Sequence, residues 1–160
     1  LPNDLYLPKI AQDGSKPWIE YANFVNIQPN FKKVAIVISG AGFDANASER
    51  IYKIFNSEVS LSFSPYTVDK KAAILSAREQ GHETYVDLLL PSKDYGKEDT
   101  GPMSLVDTMK ESEVKDILHN ILNTKAPVGG IVIRDGLVNE NNQDTLLSLL
   151  KTLKDNTPYS

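Results

Sequence analysis

Carboxylates are the residues of this 160-residue chain best placed to do chemistry. Asp87 lies inside an apolar run, Tyr85-Val86-Asp87-Leu88. An ionised group there is costly unless a cation or donor pairs with it. Arg134, or a hydroxyl such as that of Ser39, is the candidate partner. Asp135 follows Arg134 directly and precedes Gly136, a placement that suits a ligand to a hydroxyl or metal and equally suits a turn. In a reactive reading, a carboxylate from this set is the general base and Arg134 steadies an oxyanion. In the plainer reading, Asp87 is half of a buried ion pair or hydrogen bond. The loop acids Asp94, Glu98 and Asp99 read as solvation.

A second motif is Gly40-Ala41-Gly42-Phe43-Asp44-Ala45, a G-x-G-x-x-A pattern after the β-branched run Val34 to Ile38. Dinucleotide sites use such glycines for a tight turn, a helix N-terminus for the pyrophosphate and an acid for the ribose, roughly 20 residues on. At that distance the chain offers Ser62-Phe63-Ser64-Pro65-Tyr66, with no carboxylate before Asp69. Asp44 also stands where a phosphate would meet the helix and would repel it. A nucleotide-binding α/β domain is therefore the weakest of the functional readings.

Histidine and cysteine chemistry is scarce. His82 falls at a helix-to-strand turn and His119 within an amphipathic helix, so a multi-histidine metal site is not expected. With no cysteine there is no thiolate nucleophile, disulfide framework or cysteine metal cluster. The net charge of −4 offers no general attraction to nucleic acid or anionic lipid. No apolar run approaches the roughly 20 residues needed to cross a bilayer, so this segment is not expected to insert in a membrane. The chain opens on Leu1 rather than Met, which leaves an upstream signal or anchor open.

The elements that must position these residues follow from the pattern. Residues 1–30 form an N-terminal arm with prolines at 2, 8, 17 and 29, and Trp18, Tyr21 and Phe24 are spaced to pin it. Residues 31–160 form the domain. Val34 to Ile38 reads as a strand covered on both faces. Asp44 caps a helix carrying Ala47, Ile51, Ile54 and Phe55. Val59 to Phe63 alternates as a second strand, and Val68 to Gln80 is a helix closed by Gly81. Thr84 to Leu90 is a third strand. Residues 91–107 make a long polar connection, then Thr108 and Glu111 have capping-box spacing. Val114, Ile117, Leu118, Ile121 and Leu122 give the strongest helical stripe. Gly130 to Ile133 is the fourth strand, and a last helix carries Leu146, Leu147, Leu150 and Leu153. Strand and helix alternate without a hairpin signal, so the fold class is α/β with a parallel sheet of repeated βα units. Chemistry in such sheets sits at the strand carboxyl ends, here Ser39-Gly40, Ser64-Pro65, Leu90-Pro91 and Arg134-Asp135-Gly136.

In this order, certain segments resemble the divergent polysaccharide deacetylase family of bacterial envelopes, especially its alphaproteobacterial members. They are Pro17-Trp18-Ile19-Glu20-Tyr21-Ala22, Val34 to Gly42, Leu61 to Tyr66, Ala77-Arg78-Glu79-Gln80-Gly81-His82-Glu83, Asp94-Tyr95 and Thr100 to Leu105. The resemblance implies a deacetylase-type (β/α) barrel, of which four βα units are present, and a periplasmic or envelope location. It also implies an activity, removal of N-acetyl groups from sugar polymers by a metal held on Asp and His. The matching positions have changed. D-D-x-G of many relatives is Ser39-Gly40-Ala41-Gly42, P-x-E-P falls on Leu89 to Ser92, the loop histidine is Met103, and N-H-M-G falls within Ile131 to Gly136 as I-V-I-R-D-G. The expectation is a domain without the family's metal and without a cofactor, binding a glycan or an envelope protein. Ser39, Ser64, Asp87, Arg134 and Asp135 are its candidate ligand-binding residues, and Asp87, Arg134 and Asp135 are the catalytic candidates of the alternative, an active carbohydrate deacetylase or hydrolase. An open parallel sheet also leaves an unpaired edge, which predicts a homo-oligomer.

Overall fold

The computed structural model describes residues 9–26, 28–90, 101–106 and 109–134, with residues 147, 150, 151 and 154 in addition. Among them, a short helix α1 (Pro17–Glu20) precedes strand β1 (Val37–Ala41), helix α2 (Ala45–Ile54), strand β2 (Ser60–Phe63) and helix α3 (Lys70–Glu79). Strand β3 (Thr84–Leu89), helix α4 (Glu111–Leu122) and strand β4 (Gly130–Arg134) follow. The strands form one sheet in the order β1-β2-β3-β4, every neighbouring pair parallel. The predicted α/β class and parallel repeat are what the chain adopts.

Helix ends are set by side chains where the sequence supplies them. Asp44 accepts from the Ala47 N–H at 2.9 Å and caps α2, and Asp69 does the same for α3 through Ala72 at 3.0 Å. The capping box expected at Thr108 and Glu111 lies elsewhere. α4 starts after Lys110, whose N–H is accepted by Glu113 at 2.7 Å. Both frames place a glutamate three residues on, so spacing alone could not choose between them.

Register decides what each sheet face carries. Ile38 pairs with Leu61, Phe63 with Val86, and Val86 with Ile131, so these side chains share one face. On that face Leu61, Phe63, Val86 and Leu88 pack with Tyr52 of α2, Ile74 and Ala77 of α3, and Ile117, Leu118, Ile121 and Leu122 of α4. The described helices thus build a single core on one side, the arrangement right-handed βα crossovers give when a sheet curls toward a barrel. The opposite face carries Val37, Ser60, Ser62, Tyr85, Asp87, Val132 and Arg134 and is largely polar.

The double coverage expected for Val34 to Ile38 is not found. The strand starts at Val37, and Val34, Ile36 and Val37 are exposed. An apolar run states that burial is favourable, not which neighbour supplies it, and β1 lies at the end of the sheet order. The arm is held at the opposite end from the strand carboxyl ends. Asn23 Nδ2 donates to the Ser57 and Gly81 carbonyls, and Arg78 donates to the Tyr21 carbonyl while lying over its ring. Of the expected aromatic stripe Tyr21 does the pinning, whereas Trp18 and Phe24 are exposed.

Candidate functional site

Asp87 lies on the open face of β3 and has no solvent exposure. Parallel pairing aligns Ser62 with Tyr85, two residues before Asp87, so Ser62 and Asp87 point the same way. The Ser62 hydroxyl donates to Asp87 Oδ1. Oδ2 accepts the Gly40 N–H at 2.9 Å and faces Arg134 Nη1 at 3.4 Å. One carboxylate thereby joins all four strands. Burial pushes its pKa above the ordinary carboxylate value, and Ser62, Gly40 and Arg134 pull it back. Arg134, from the sequence-derived pair of candidate partners, is present. Ser62 stands where Ser39 was expected, and Ser39 is exposed on β1. The register between β2 and β3 selects Ser62, and register is not readable from one strand's sequence.

The glycine turn is committed to the same arrangement. Gly40 has a φ of +77°, and a Cβ there would stand 3.2 Å from Arg134 Nη1. Its glycine therefore serves both the turn and the approach of the guanidinium. Gly42 has a φ of +80°, and a Cβ there would collide with the Thr67 side chain. The Gly40 N–H is used by Asp87 and the Gly42 N–H by Ser48 Oγ, the latter at 2.7 Å. These are donors that a phosphate cradle would need, so the turn holds protein rather than a nucleotide.

The remaining candidates divide. Ser64 is buried at the end of β2, where its hydroxyl accepts the Tyr66 N–H at 3.2 Å and its carbonyl accepts from Thr67 Oγ1 at 2.8 Å. Asp135 lies outside the described residues, as do Asp94, Glu98 and Asp99. His82 is buried behind the core, with Nδ1 2.8 Å from the Val59 carbonyl, and His119 is half-buried on α4. At the foot of the open face, Ser60 Oγ and the Tyr85 hydroxyl both donate to Glu83 Oε2 at 3.0 Å. Burial there pushes the Tyr85 hydroxyl up to about 12, so it stays a donor.

Sequence reasoning missed the rim. The 101–106 segment returns to the sheet, where Ser104 bridges to Leu89 and the Leu105 N–H reaches the Leu89 carbonyl at 3.0 Å. The Met103 N–H donates to the Tyr66 hydroxyl at 2.9 Å, which holds Met103 beside the β2 loop. Phe43, in the loop after β1, is 72% exposed. Its place in the glycine turn after a continuous apolar run is the available signal.

A divalent cation does not fit the described residues. Asp87 already accepts three donors, one of them the Arg134 guanidinium, which would repel a metal. Among the described residues no group of three or more His, Cys, Asp or Glu side chains converges as a ligand set. The arrangement can, however, offer a polar ligand the Arg134 guanidinium, whose side chain is 35% exposed and which lies beside Gly40 in the turn that leads to Phe43.

Comparison with known proteins agrees with this architecture. A family model described as divergent polysaccharide deacetylase matches residues 36–159. The crystal structure of an uncharacterized protein from Agrobacterium tumefaciens C58 superposes with a TM-score of 0.78 at 23% identity. The match covers 91% of this chain and 59% of that one, so the chain spans under two thirds of its structural neighbour. At that identity the likeness bears on the fold. No curated protein matches the chain.

Proposed function

The chain belongs to the divergent polysaccharide deacetylase family, and on that premise we propose that it binds an envelope glycan at the strand carboxyl ends without hydrolysing it. The observation that carries this reading is the state of Asp87. A general base needs a lone pair within reach of its substrate. Asp87 has no exposure, and its two oxygens accept from Ser62, Gly40 and Arg134. Its role is to hold Arg134 and the Gly40 turn in place. Sugar rings present C–H faces that stack on aromatic side chains and hydroxyls that accept from a guanidinium. Phe43, after β1, and Arg134, at the end of β4 with its guanidinium reaching across to Gly40, supply these two contacts.

The reading is tested by following the ¹⁵N spectrum of the chain as N-acetylglucosamine oligosaccharides are added. Saturable shifts are expected at residues 40–43 and 134, weakened about tenfold or more by Arg134→Ala, the loss of one charged hydrogen bond. Shifts absent there, or left unchanged by that substitution, overturn the binding site. The alternative of an active hydrolase draws on the 3.4 Å between Arg134 and Asp87, close enough for a joint role. It requires acetate release that disappears in Asp87→Asn.

A further inference from the structure

Strand β2 stops short of β3, and a different part of the chain fills the gap. Leu61 pairs with Thr84, so five residues further on a straight β2 would set Tyr66 opposite Leu89. Pro65 has no N–H to give to that ladder, and the chain turns away. The Tyr66 N–H donates to Ser64 Oγ and the Thr67 N–H to the Ser64 carbonyl, both at 3.2 Å. Thr67 Oγ1 also reaches the Ala41 carbonyl at 3.3 Å, which fastens this turn to the end of β1. Ser104 takes the vacated place. It bridges in parallel to Leu89, whose carbonyl accepts the Leu105 N–H at 3.0 Å. On its other side Leu89 pairs with Arg134. Ser104, Leu89 and Arg134 thus form one row, with the backbones of Ser104 and Arg134 two strand spacings, about 10 Å, apart.

The replacement is held by the residue it displaced. Gly101 to Ser104 is a turn, closed by the Ser104 N–H on the Gly101 carbonyl at 3.1 Å, with Pro102 at its second position. That bond leaves the Met103 N–H in need of an acceptor, and the Tyr66 hydroxyl supplies one at 2.9 Å. Gly101 lies so close that a Cβ there would collide with the same hydroxyl. Met103 is half-buried yet, among the described residues, does not pack on the core cluster, whereas Met109 does. We propose that Tyr66 is a positioning residue of the glycan site. Its hydroxyl fixes the Gly101 to Ser104 turn so that the Met103 side chain lies against a sugar held at Arg134. A thioether suits such a contact, being apolar and adaptable in shape. This role rests on the glycan reading above, and it needs neither β1 nor β4 to have a free edge.

The test combines amide hydrogen exchange with titration by N-acetylglucosamine oligosaccharides, both followed in ¹⁵N spectra. It compares the native chain with Tyr66→Phe, Gly101→Ala, Met103→Ala and the Tyr66→Phe/Met103→Ala pair. Tyr66→Phe keeps the ring and removes the acceptor. Exchange at the Met103 amide should then rise about tenfold or more, while the Leu105 amide keeps its native rate. Affinity should fall about fivefold, as for the loss of one neutral hydrogen bond. Gly101→Ala should reproduce that fall. Met103→Ala should weaken binding by a similar factor with the amide at that position still protected. The paired substitution should weaken it no further, because Tyr66 acts through Met103. An unchanged Met103 exchange rate in Tyr66→Phe overturns the proposal. Native affinity in Tyr66→Phe, or losses that multiply in the pair, overturns the positioning role and leaves the glycan reading intact. A native chain without saturable shifts at residues 40–43 and 134 overturns the glycan reading, and the positioning role falls with it.

Discussion

The middle of the sheet and its edges solve opposite problems with similar residues. In β2 and β3, Leu61, Phe63, Val86 and Leu88 are buried under the helices, and the polar side chains on the other face are joined through Asp87. At β1 the equally apolar Val34 and Ile36, just before the strand, and Val37 within it stand in solvent, and at β4 so does Ile133. Composition does not distinguish these strands; the number of paired neighbours does. Stability should therefore concentrate at the centre rather than at the edges.

The largest effect that can sharpen this contrast is Phe63→Ala, which empties the most buried aromatic site. It should cost about 3–5 kcal/mol in urea unfolding. A cost below about 1 kcal/mol would mean the centre is not the stable part. Asp87→Ala should cost about 3 kcal/mol, because it leaves Ser62, the Gly40 N–H and Arg134 without their shared acceptor. Gly42→Ala combines a positive φ with a collision against Thr67 and should cost about 1–3 kcal/mol, visible as a lower thermal midpoint.

A pH series separates charge from packing at the same centre. Burial raises the folded pKa of Asp87 above the unfolded value of 3.8. The folded chain therefore binds that proton more readily than the unfolded chain. The associated stability is full below the unfolded value and is lost as pH rises through the folded value. On acidification through that window the wild type should gain stability relative to Asp87→Asn, in which this proton is absent. Parallel curves for the two proteins would place the ionisation elsewhere. The smallest effect belongs to the edge: Val34→Thr should change stability by under about 0.5 kcal/mol in urea unfolding.

How much of this was legible in the sequence follows the same division. The βα alternation, Asp44 as a cap and the placement of Asp87 in an apolar strand are local patterns, and the chain expresses them. Ser62 was missed as the partner of Asp87 because an interstrand register links residues 25 apart, and Ser39 is an equally good hydroxyl by type. The exposure of Val34 and Ile36 was missed for a related reason. A continuous β-branched run shows strand propensity and a need for cover, but not whether the cover comes from the same chain. The turn at Gly40 to Asp44 carries a phosphate-binding pattern, yet its N–H groups serve Asp87 and Ser48. Only the geometry distinguishes a donor that is waiting from one that is engaged.

The central claim is that Asp87 positions the site rather than reacting in it. The most direct measurement is acetate release from N-acetylglucosamine oligosaccharides by the native chain and Asp87→Asn, with divalent zinc, cobalt or nickel supplied in turn. The account predicts release no greater than the protein-free blank for both chains under every condition. Metal-dependent release by the native chain that Asp87→Asn abolishes, with the variant still folded, would contradict it.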